Sequence, residues 1–296
     1  MHLNPTFTSN IQNLYGETGA AWLNNLPSLL TQLSSKWNLR FLHVVPDLTY
    51  NFVCLIEIIP TGETAILKMG PGSTNIETEV RWLQCFNKGV PKVYWHDEEY
   101  DAFLMERLEP GKSLKALVKA GRDDTATRRI CQAIRELHSH QQKQAAFTPI
   151  STFAGNLSVL KNHLDNRTVS KAEALFLELI ADQTHDVLLH GDLHHGNILS
   201  SGASWKVIDP QGYVGDPVFE ICSMIYCNCF PPDLSIPQVV ERRLHILAEE
   251  LPFDPQRIKA WAFCKTALSL AWNLEDHGTI PEFEVEVLSA IDQVKI

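Results

Sequence analysis

The chain has 296 residues and a formal net charge of −10 at pH 7, with 45% hydrophobic and 20% charged residues. This length is long for one compact core and suits two lobes. The acidic balance argues against nucleic acid as the main partner, because phosphate binding needs Lys and Arg. No apolar run reaches the roughly 18 residues of a membrane helix. The N-terminus has no signal-peptide pattern, so we expect a cytoplasmic protein that binds no membrane.

The first part of the chain, up to about residue 110, is dominated by strand-like patterns. We predict a helix over residues 18–37 that breaks or restarts at Pro27. A small antiparallel sheet and one further helix follow. The predicted strands are residues 51–60, 64–69, 91–96 and 102–106, and the predicted helix is residues 75–86.

Helical periodicity dominates the rest of the chain. Glu109-Pro110-Gly111 is a breaker cluster, which predicts a hinge between an N-terminal lobe, residues 1–108, and a C-terminal lobe, residues 109–296. We therefore predict an α+β, protein kinase-like bilobal fold, with a small β-rich lobe and a larger, mostly helical lobe. In the second lobe we predict helices over 113–120 and 124–140, a helical stretch ending near Asp186, short β segments at 187–189, 197–199 and 204–208, and four helices beyond Asp216.

The seven cysteines are odd in number, and no two form a C-x-x-C pair. A disulfide framework and a zinc ribbon are therefore not expected. We interpret Cys227-x-Cys229 as core filling rather than a metal site.

The run His190–Asn197 (HGDLHHGN) has the H-x-D-L-x-x-x-N spacing of a kinase catalytic loop. The Asp of this pattern, Asp192, faces an attacking hydroxyl, and the Asn, Asn197, reaches a magnesium ion held on phosphates. Asp209 follows a predicted strand, 17 residues after Asp192, and supplies a second oxygen ligand. Oxygen ligands suit Mg²⁺. The sequence therefore predicts a phosphoryl-transfer centre with a metal site.

The first lobe offers the other half of such a centre. Lys68 ends a predicted strand, where a kinase places the lysine that grips the α- and β-phosphates of ATP. A carboxylate from the next helix must hold this lysine, and that helix carries both Glu77 and Glu79.

We also predict contacts to the nucleotide. The segment Asp47–Asn51 takes the place of a glycine-rich loop, and its backbone N–H groups and Thr49 hydroxyl can cradle phosphate. The segment Met105–Leu108 crosses the predicted junction of the lobes, where we expect the adenine. The nucleotide-binding candidates are Thr49, Tyr50, Asn51, Lys68, Met105, Glu106 and Leu108.

The sequence resembles the aminoglycoside phosphotransferase superfamily and, more narrowly, the streptomycin 6-kinase group, a family of aminoglycoside/hydroxyurea resistance kinases. Two of the matching stretches occur in many small-molecule kinases, and two are more particular to the streptomycin kinase group. The shared stretches are 189–198 and 205–210 with Gly215; the particular ones are 15–23 with Leu26-Pro27, and 268–273.

The resemblance implies a role for each matching residue. It makes Asp192 the catalytic base, and Asn197 and Asp209 the magnesium ligands. It makes Lys68 the phosphate-gripping lysine. Glu79 is favoured as its partner, since Glu79-Val80-Arg81 falls where the family has Glu-Leu-Arg, and His190 braces the loop. The chain departs from protein kinases in having Gly191 before the Asp, and Asp209-Pro210-Gln211 in place of D-F-G. These departures imply that no protein-kinase activation loop is present.

Together these patterns predict an ATP- and Mg²⁺-dependent kinase that phosphorylates an alcohol group of an aminoglycoside such as streptomycin. From Asp209 to the end the chain has 14 Asp plus Glu against 6 Lys plus Arg, which suits a cationic substrate as well as an ordinary solvated surface. We expect a monomer or weak homodimer. The substrate-binding candidates are Asp192, Glu220, Trp272, Asn273, Glu275 and Asp276.

Three alternatives stay open at this point. The chain can be a kinase of another amino-alcohol or sugar, or a nucleotide-binding relative without catalysis. The histidines His190, His194 and His195 can also be read as a metallohydrolase site, although their spacing is not H-x-H-x-D-H.

Overall fold

The computed structural model describes residues 3–46, 48–72, 75–139 and 147–296. Asp47, from the predicted phosphate-cradling segment, and His140, the predicted end of a helix, lie outside these residues. The chain divides into two compact units. The sheet unit is Met1–Gln84 with Pro91–Leu108, and the helical unit is Cys85–Val90 with Glu109–Ile296. The predicted lobe boundary at residue 108 stays a prediction.

The sheet unit contains a five-stranded antiparallel sheet with the strand order β1-β2-β3-β5-β4. The strands are β1 Leu39–Val44, β2 Phe52–Ile58, β3 Glu63–Met69, β4 Val93–Asp97 and β5 Ala102–Glu106. The sequence did not predict β1. Most side chains of this edge strand are exposed, so it lacks the alternation of buried and exposed residues by which strands are recognised.

Among the described residues of this unit, two helices accompany the sheet: α1, Pro5–Trp37, and α2, Asn75–Gln84. The prediction for α1 was wrong at its start and at its break. The helix begins at Pro5, its backbone leaves helical geometry at Gly16 (φ 54°, ψ −130°), and it continues through Pro27. Leu26 and Leu30, on both sides of Pro27, belong to the hydrophobic core under the sheet. Tertiary packing therefore outweighs the local cost of an interior proline.

In the part of the helical unit that the structure describes, the strands form two three-stranded sheets, with the orders β10-β9-β6 and β7-β11-β8. Their strands are short. They are β6 Pro110–Ser113, β7 Thr148–Pro149, β8 Val187–Leu189, β9 Ile198–Ser201, β10 Ser204–Val207 and β11 Tyr213–Gly215. The predicted hinge cluster thus runs into a strand, because Pro110 and Gly111 begin β6.

Helices make up most of the helical unit. They are α3 Lys115–Lys119, α4 Asp123–Ser139, α5 Asn166–Ala181, α6 Ser223–Tyr226, α7 Ile236–Glu250, α8 Pro255–His277 and α9 Glu282–Gln293, with 3-10 helices at Ile150–Asn162 and Pro217–Ile221. α8 runs through the core, since Ile258 and residues 261–271 are all buried. In the described part of the chain, no helix is long and apolar enough to span a membrane.

Candidate active site

In the sheet unit, a buried ion pair joins β3 to α2. Lys68 Nζ lies 2.5 Å from Glu79 Oε2, and the two residues are only 4% and 3% exposed. Glu77, the other candidate, lies exposed on α2, 3.9 Å from Arg81 Nε. The structure therefore joins Lys68 to Glu79, the partner that we favoured. Their roles in catalysis stay a prediction.

The loop His190–Asn197 connects β8 to β9 in the helical unit. His190 is fully buried and uses both ring nitrogens: Nε2 donates to Ile208 O at 2.8 Å, and Nδ1 accepts from Asp192 N at 3.2 Å. Burial lowers the pKa of His190 to about 4, so the ring is neutral at pH 7 and keeps this tautomer. His190 thereby ties the residue before Asp209 to the backbone of Asp192.

The β9–β10 hairpin brings the two predicted metal ligands to the same end. Ile208 N donates to Asn197 O at 2.9 Å across the hairpin, and Asp209 follows directly with a left-handed φ of 63°. Asn197 Nδ2 donates to Asp192 O at 2.9 Å, so Oδ1 is the end of the amide that is available to a metal. An amide oxygen and a carboxylate at one hairpin end are hard oxygen donors, so this pair fits Mg²⁺.

The three loop histidines do not converge on a common point, although His194 Nε2 lies 3.7 Å from the Asp192 carboxylate. His190 is bonded to Ile208 and Asp192, as described. His194 Nδ1 accepts from Gly196 N at 3.0 Å, and His195 Nδ1 lies 3.5 Å from Cys227 Sγ. Among the described residues, no three His, Cys, Asp or Glu side chains come together to hold a metal. The metallohydrolase interpretation thus finds no support in the arrangement of these rings.

Glu220 needs a correction. It was a substrate-binding candidate, yet it is 0% exposed. Its carboxylate accepts from His190 N at 2.6 Å and from Gly191 N at 3.1 Å, and burial raises its pKa to about 7. Because both oxygens accept from the loop backbone inside the core, Glu220 supports the loop His190–Asn197 and is not exposed for a substrate contact.

An aromatic row starts at the loop and reaches the far part of α8. The Tyr213 ring packs on Gly191, where an added Cβ would lie 2.5 Å from Tyr213 Cδ2. Phe153 makes an edge contact with Tyr213, with ring centres 4.9 Å apart, and another with Trp272, at 5.3 Å. Trp272 was predicted as a substrate contact, and that role stays a prediction. No signal in the sequence indicated the packing of Phe153 and Tyr213 in this row, because neither belongs to a motif.

The other substrate candidates lie near the C-terminal end of α8. Asn273 Nδ2 donates to Ser269 O at 2.9 Å and to Glu284 Oε1 at 3.3 Å. Glu275 is exposed and accepts a 3.4 Å hydrogen bond from Asn156 Nδ2. Asp276 is exposed as well. Their binding role stays a prediction.

The nucleotide candidates belong to the sheet unit. Asn10 Nδ2 donates to Thr49 O at 3.2 Å, which anchors the segment before β2, where Tyr50 is exposed and Asn51 is half-buried. At the end of β5, the Glu106 N–H donates to Lys92 O at 2.8 Å, so this N–H is used within the sheet. Met105 and Leu108 are buried. Adenine contacts at these residues stay a prediction.

Comparison with known proteins identifies the family. The model of the family "Aminoglycoside/hydroxyurea antibiotic resistance kinase" matches residues 43–277. The chain belongs to this family. Membership confirms the predicted resemblance and the prediction that the chain is a phosphotransferase.

Two relatives that are named as streptomycin kinases agree with this family assignment. The chain is 25% identical over 275 residues to a streptomycin 6-kinase of Streptomyces glaucescens, covering 88% of this chain and 87% of that one. It is 31% identical over 247 residues to a streptomycin 3″-kinase of Klebsiella pneumoniae, covering 74% of this chain and 88% of that one.

Solved structures confirm the kinase-like fold. A choline kinase from Streptococcus pneumoniae superposes with a TM-score of 0.66 at 16% identity, covering 91% of this chain and 98% of that chain. A spectinomycin phosphotransferase in complex with ADP and spectinomycin gives a TM-score of 0.52 at 12% identity, covering 86% and 88%. The predicted α+β fold with an antiparallel sheet and a mostly helical remainder is therefore confirmed.

Proposed function

We propose that the chain transfers the γ-phosphate of ATP to a hydroxyl group of a cationic aminoglycoside, with streptomycin as the leading substrate. One observation supports this most strongly. Asp192 has a partly exposed carboxylate, with 37% of its side chain accessible, on a loop whose backbone is held by buried side chains. A carboxylate that is open to a reactant on a fixed backbone is what a general base requires.

In the proposed reaction, Asp192 orients the acceptor hydroxyl and takes its proton. The hydroxyl oxygen forms a bond to the γ-phosphorus, while the bond from that phosphorus to the β–γ bridging oxygen breaks and ADP leaves. Lys68, held by Glu79, binds the α- and β-phosphates and balances the charge that grows on the leaving group. Most of the rate enhancement then comes from position and charge.

Asn197 and Asp209 are the residues that would hold magnesium. When bound, the ion neutralises the phosphate oxygens. The oxygen donors at one end of the β9–β10 hairpin support this assignment.

Two features support a cationic acceptor. The acidic surplus of the chain after Asp209 favours the approach of ammonium and guanidinium groups. Glu275 and Asp276 carry exposed carboxylates at the end of α8, and Trp272 offers a half-exposed ring close to them in sequence. The relatives named as streptomycin kinases suggest streptomycin itself as the first compound to assay.

The test is a coupled ADP-release assay with Mg²⁺ and ATP across streptomycin, other aminoglycosides, hydroxyurea and amino-sugars. We expect acceptor-dependent ADP release with streptomycin, and a phosphomonoester signal in the ³¹P spectrum of the product. Proton–phosphorus coupling then identifies the phosphorylated carbon, which decides between the 6- and 3″-positions named for the two relatives. The Asp192→Asn protein is the matched control.

Three results would contradict the proposal. ADP release at the same rate with and without every acceptor would show a nucleotidase. Turnover with amino-sugars alone would favour a metabolite kinase. This outcome is included because one relative, 27% identical over 223 residues, is named as a methylthioribose kinase. ATP binding without any turnover would indicate the non-catalytic alternative.

A further inference from the structure

Gly191, the residue before the proposed catalytic base, is held at both of its backbone polar groups. The Gly191 N–H donates to Glu220 Oε1 at 3.1 Å. The Gly191 C=O accepts from Lys265 Nζ at 2.6 Å. Gly191 has a left-handed φ of 85°, and the Tyr213 ring closes the space where a side chain would lie. The residue next to Asp192 therefore has no freedom to turn without losing a contact.

Lys265 is an unusual lysine. It lies in the middle of α8, is 0% exposed, and its ammonium sits 4.3 Å from the centre of the Phe219 ring. Its Nζ also lies 3.4 Å from Phe219 O. A buried ammonium is costly to desolvate, so its position reflects the partners that it finds there.

Those partners are backbone carbonyls and a ring face. Both oxygens of the nearby Glu220 are bonded to loop N–H groups. If Lys265 served only to neutralise a buried acid, a direct bond to that carboxylate would be expected. Its shortest hydrogen bond instead goes to the carbonyl that precedes Asp192.

We propose that Lys265 is a positioning residue for phosphoryl transfer. It holds the Gly191 carbonyl while Glu220 holds the Gly191 N–H, and together they fix the direction in which the Asp192 carboxylate leaves the loop. The inference rests on the proposed function of Asp192. It adds Lys265, which lies on α8, far along the chain from the loop His190–Asn197 and outside every motif.

The experiment compares Lys265→Met, which removes the donor, with Lys265→Gln, which keeps a shorter and uncharged donor. A matched control exists on the same helix. Lys259 also donates to two backbone carbonyls, Asp292 O at 2.9 Å and Val294 O at 2.6 Å, but those belong to the C-terminal segment. Lys259→Met is the control variant.

We expect Lys265→Met to lower kcat by about 100-fold, the scale of a misplaced catalytic group. The KM values for ATP and acceptor should change by less than about twofold, because binding groups stay in place. Lys265→Gln should lie between this variant and the wild type. Lys259→Met should keep the wild-type kcat.

A second measurement does not depend on turnover. Amide hydrogen exchange of the peptide covering residues 190–197 should rise about tenfold in Lys265→Met, while α8 itself stays protected. If the wild type shows no turnover with any acceptor, the proposed function fails, and the exchange result still decides whether Lys265 holds the loop.

Wild-type kcat in Lys265→Met would overturn the proposal. An equal loss of kcat in Lys259→Met would overturn it too, since the effect would then come from α8 as a whole. Should Lys265→Met fail to fold, Lys265→Gln decides: wild-type kcat together with wild-type exchange over residues 190–197 would reject the positioning role.

Discussion

Two buried lysines, one in each unit, show how differently the same side chain is used. Lys68, on β3, is 4% exposed and faces a carboxylate, Glu79, at 2.5 Å. Lys265, on α8, is 0% exposed and donates to backbone carbonyls. A carboxylate partner keeps a lysine charged and in place for a second anion. A lysine that donates to backbone carbonyls instead fixes the conformation of the backbone. We therefore expect Lys68 to contact a reactant and Lys265 to contact only the protein.

Replacing Asp192 should give the largest loss of turnover, against which the effects of the two lysine variants are compared. We expect Asp192→Asn to reduce turnover by about 10³-fold, since the general base is lost while the loop keeps its shape. ATP binding, measured by titration calorimetry, should be unchanged. Near-normal turnover in this variant would remove Asp192 from its role, and with it the reason for holding Gly191.

Replacing Lys68 should separate the two lysines by their kinetic signature. Lys68→Met should lower kcat/KM for ATP by about 100-fold, because a preorganised positive charge on the phosphates is lost. Lys265→Met, in contrast, should leave KM for ATP nearly unchanged. The exposed Lys119→Met serves as the control. If both buried-lysine variants changed kcat alone, the distinction between them would fail.

The ion pair also predicts a stability effect. Lys68→Met removes the positive charge that lies beside the buried Glu79 carboxylate, which should cost about 3 kcal/mol of unfolding free energy. The double variant Lys68→Met with Glu79→Gln should recover most of that loss, as seen by urea denaturation. Two losses that simply add would show that the side chains do not interact energetically.

A substitution at Asp209 tests the proposed metal ligands at the end of the β9–β10 hairpin. Asp209→Asn should raise the Mg²⁺ concentration for half-maximal activity about tenfold, since a neutral amide replaces a charged oxygen ligand. The exposed Asp233→Asn controls for general charge loss. An unchanged Mg²⁺ dependence would mean that the ligand lies elsewhere.

The smallest expected effect concerns pH. Burial raises the pKa of Glu220 from 4.5 to about 7, so the folded state binds this proton more tightly than the unfolded state. The stability from this group is fully present below pH 4.5 and is lost as the pH rises to about 7, by at most about 1.4 kcal/mol per unit. Glu220→Gln should remove that slope from the unfolding free energy. An identical slope in variant and wild type would assign the titration to another group.

Short-range order made much of the site predictable. The loop pattern lies within one run, His190–Asn197, and the strand-end Lys68 lies close in sequence to the helix glutamate Glu79, so hydrogen bonds between neighbouring segments order each group within its own unit. Strands β2, β3 and β5 were predicted within about two residues for the same reason, because each pairs with a neighbour and has a buried face. The edge strand β1 and the run of α1 through Pro27 were not predicted, since solvent exposure hides the first and core packing overrides the local signal in the second.

By itself, the sequence predicted the reacting groups, which are Asp192, Asn197 and Asp209 at kinase spacing and Lys68 with an acidic partner, and it indicated the family to which the chain belongs. Only the tertiary structure decided which side chains hold that chemistry in place. Glu220 changed from a substrate candidate to a support of the loop, and Lys265 and Tyr213 became visible at Gly191. The physical reason is that a spacing pattern encodes the reacting groups along one stretch of chain, whereas the groups that fix their direction come from distant helices through burial and hydrogen bonding.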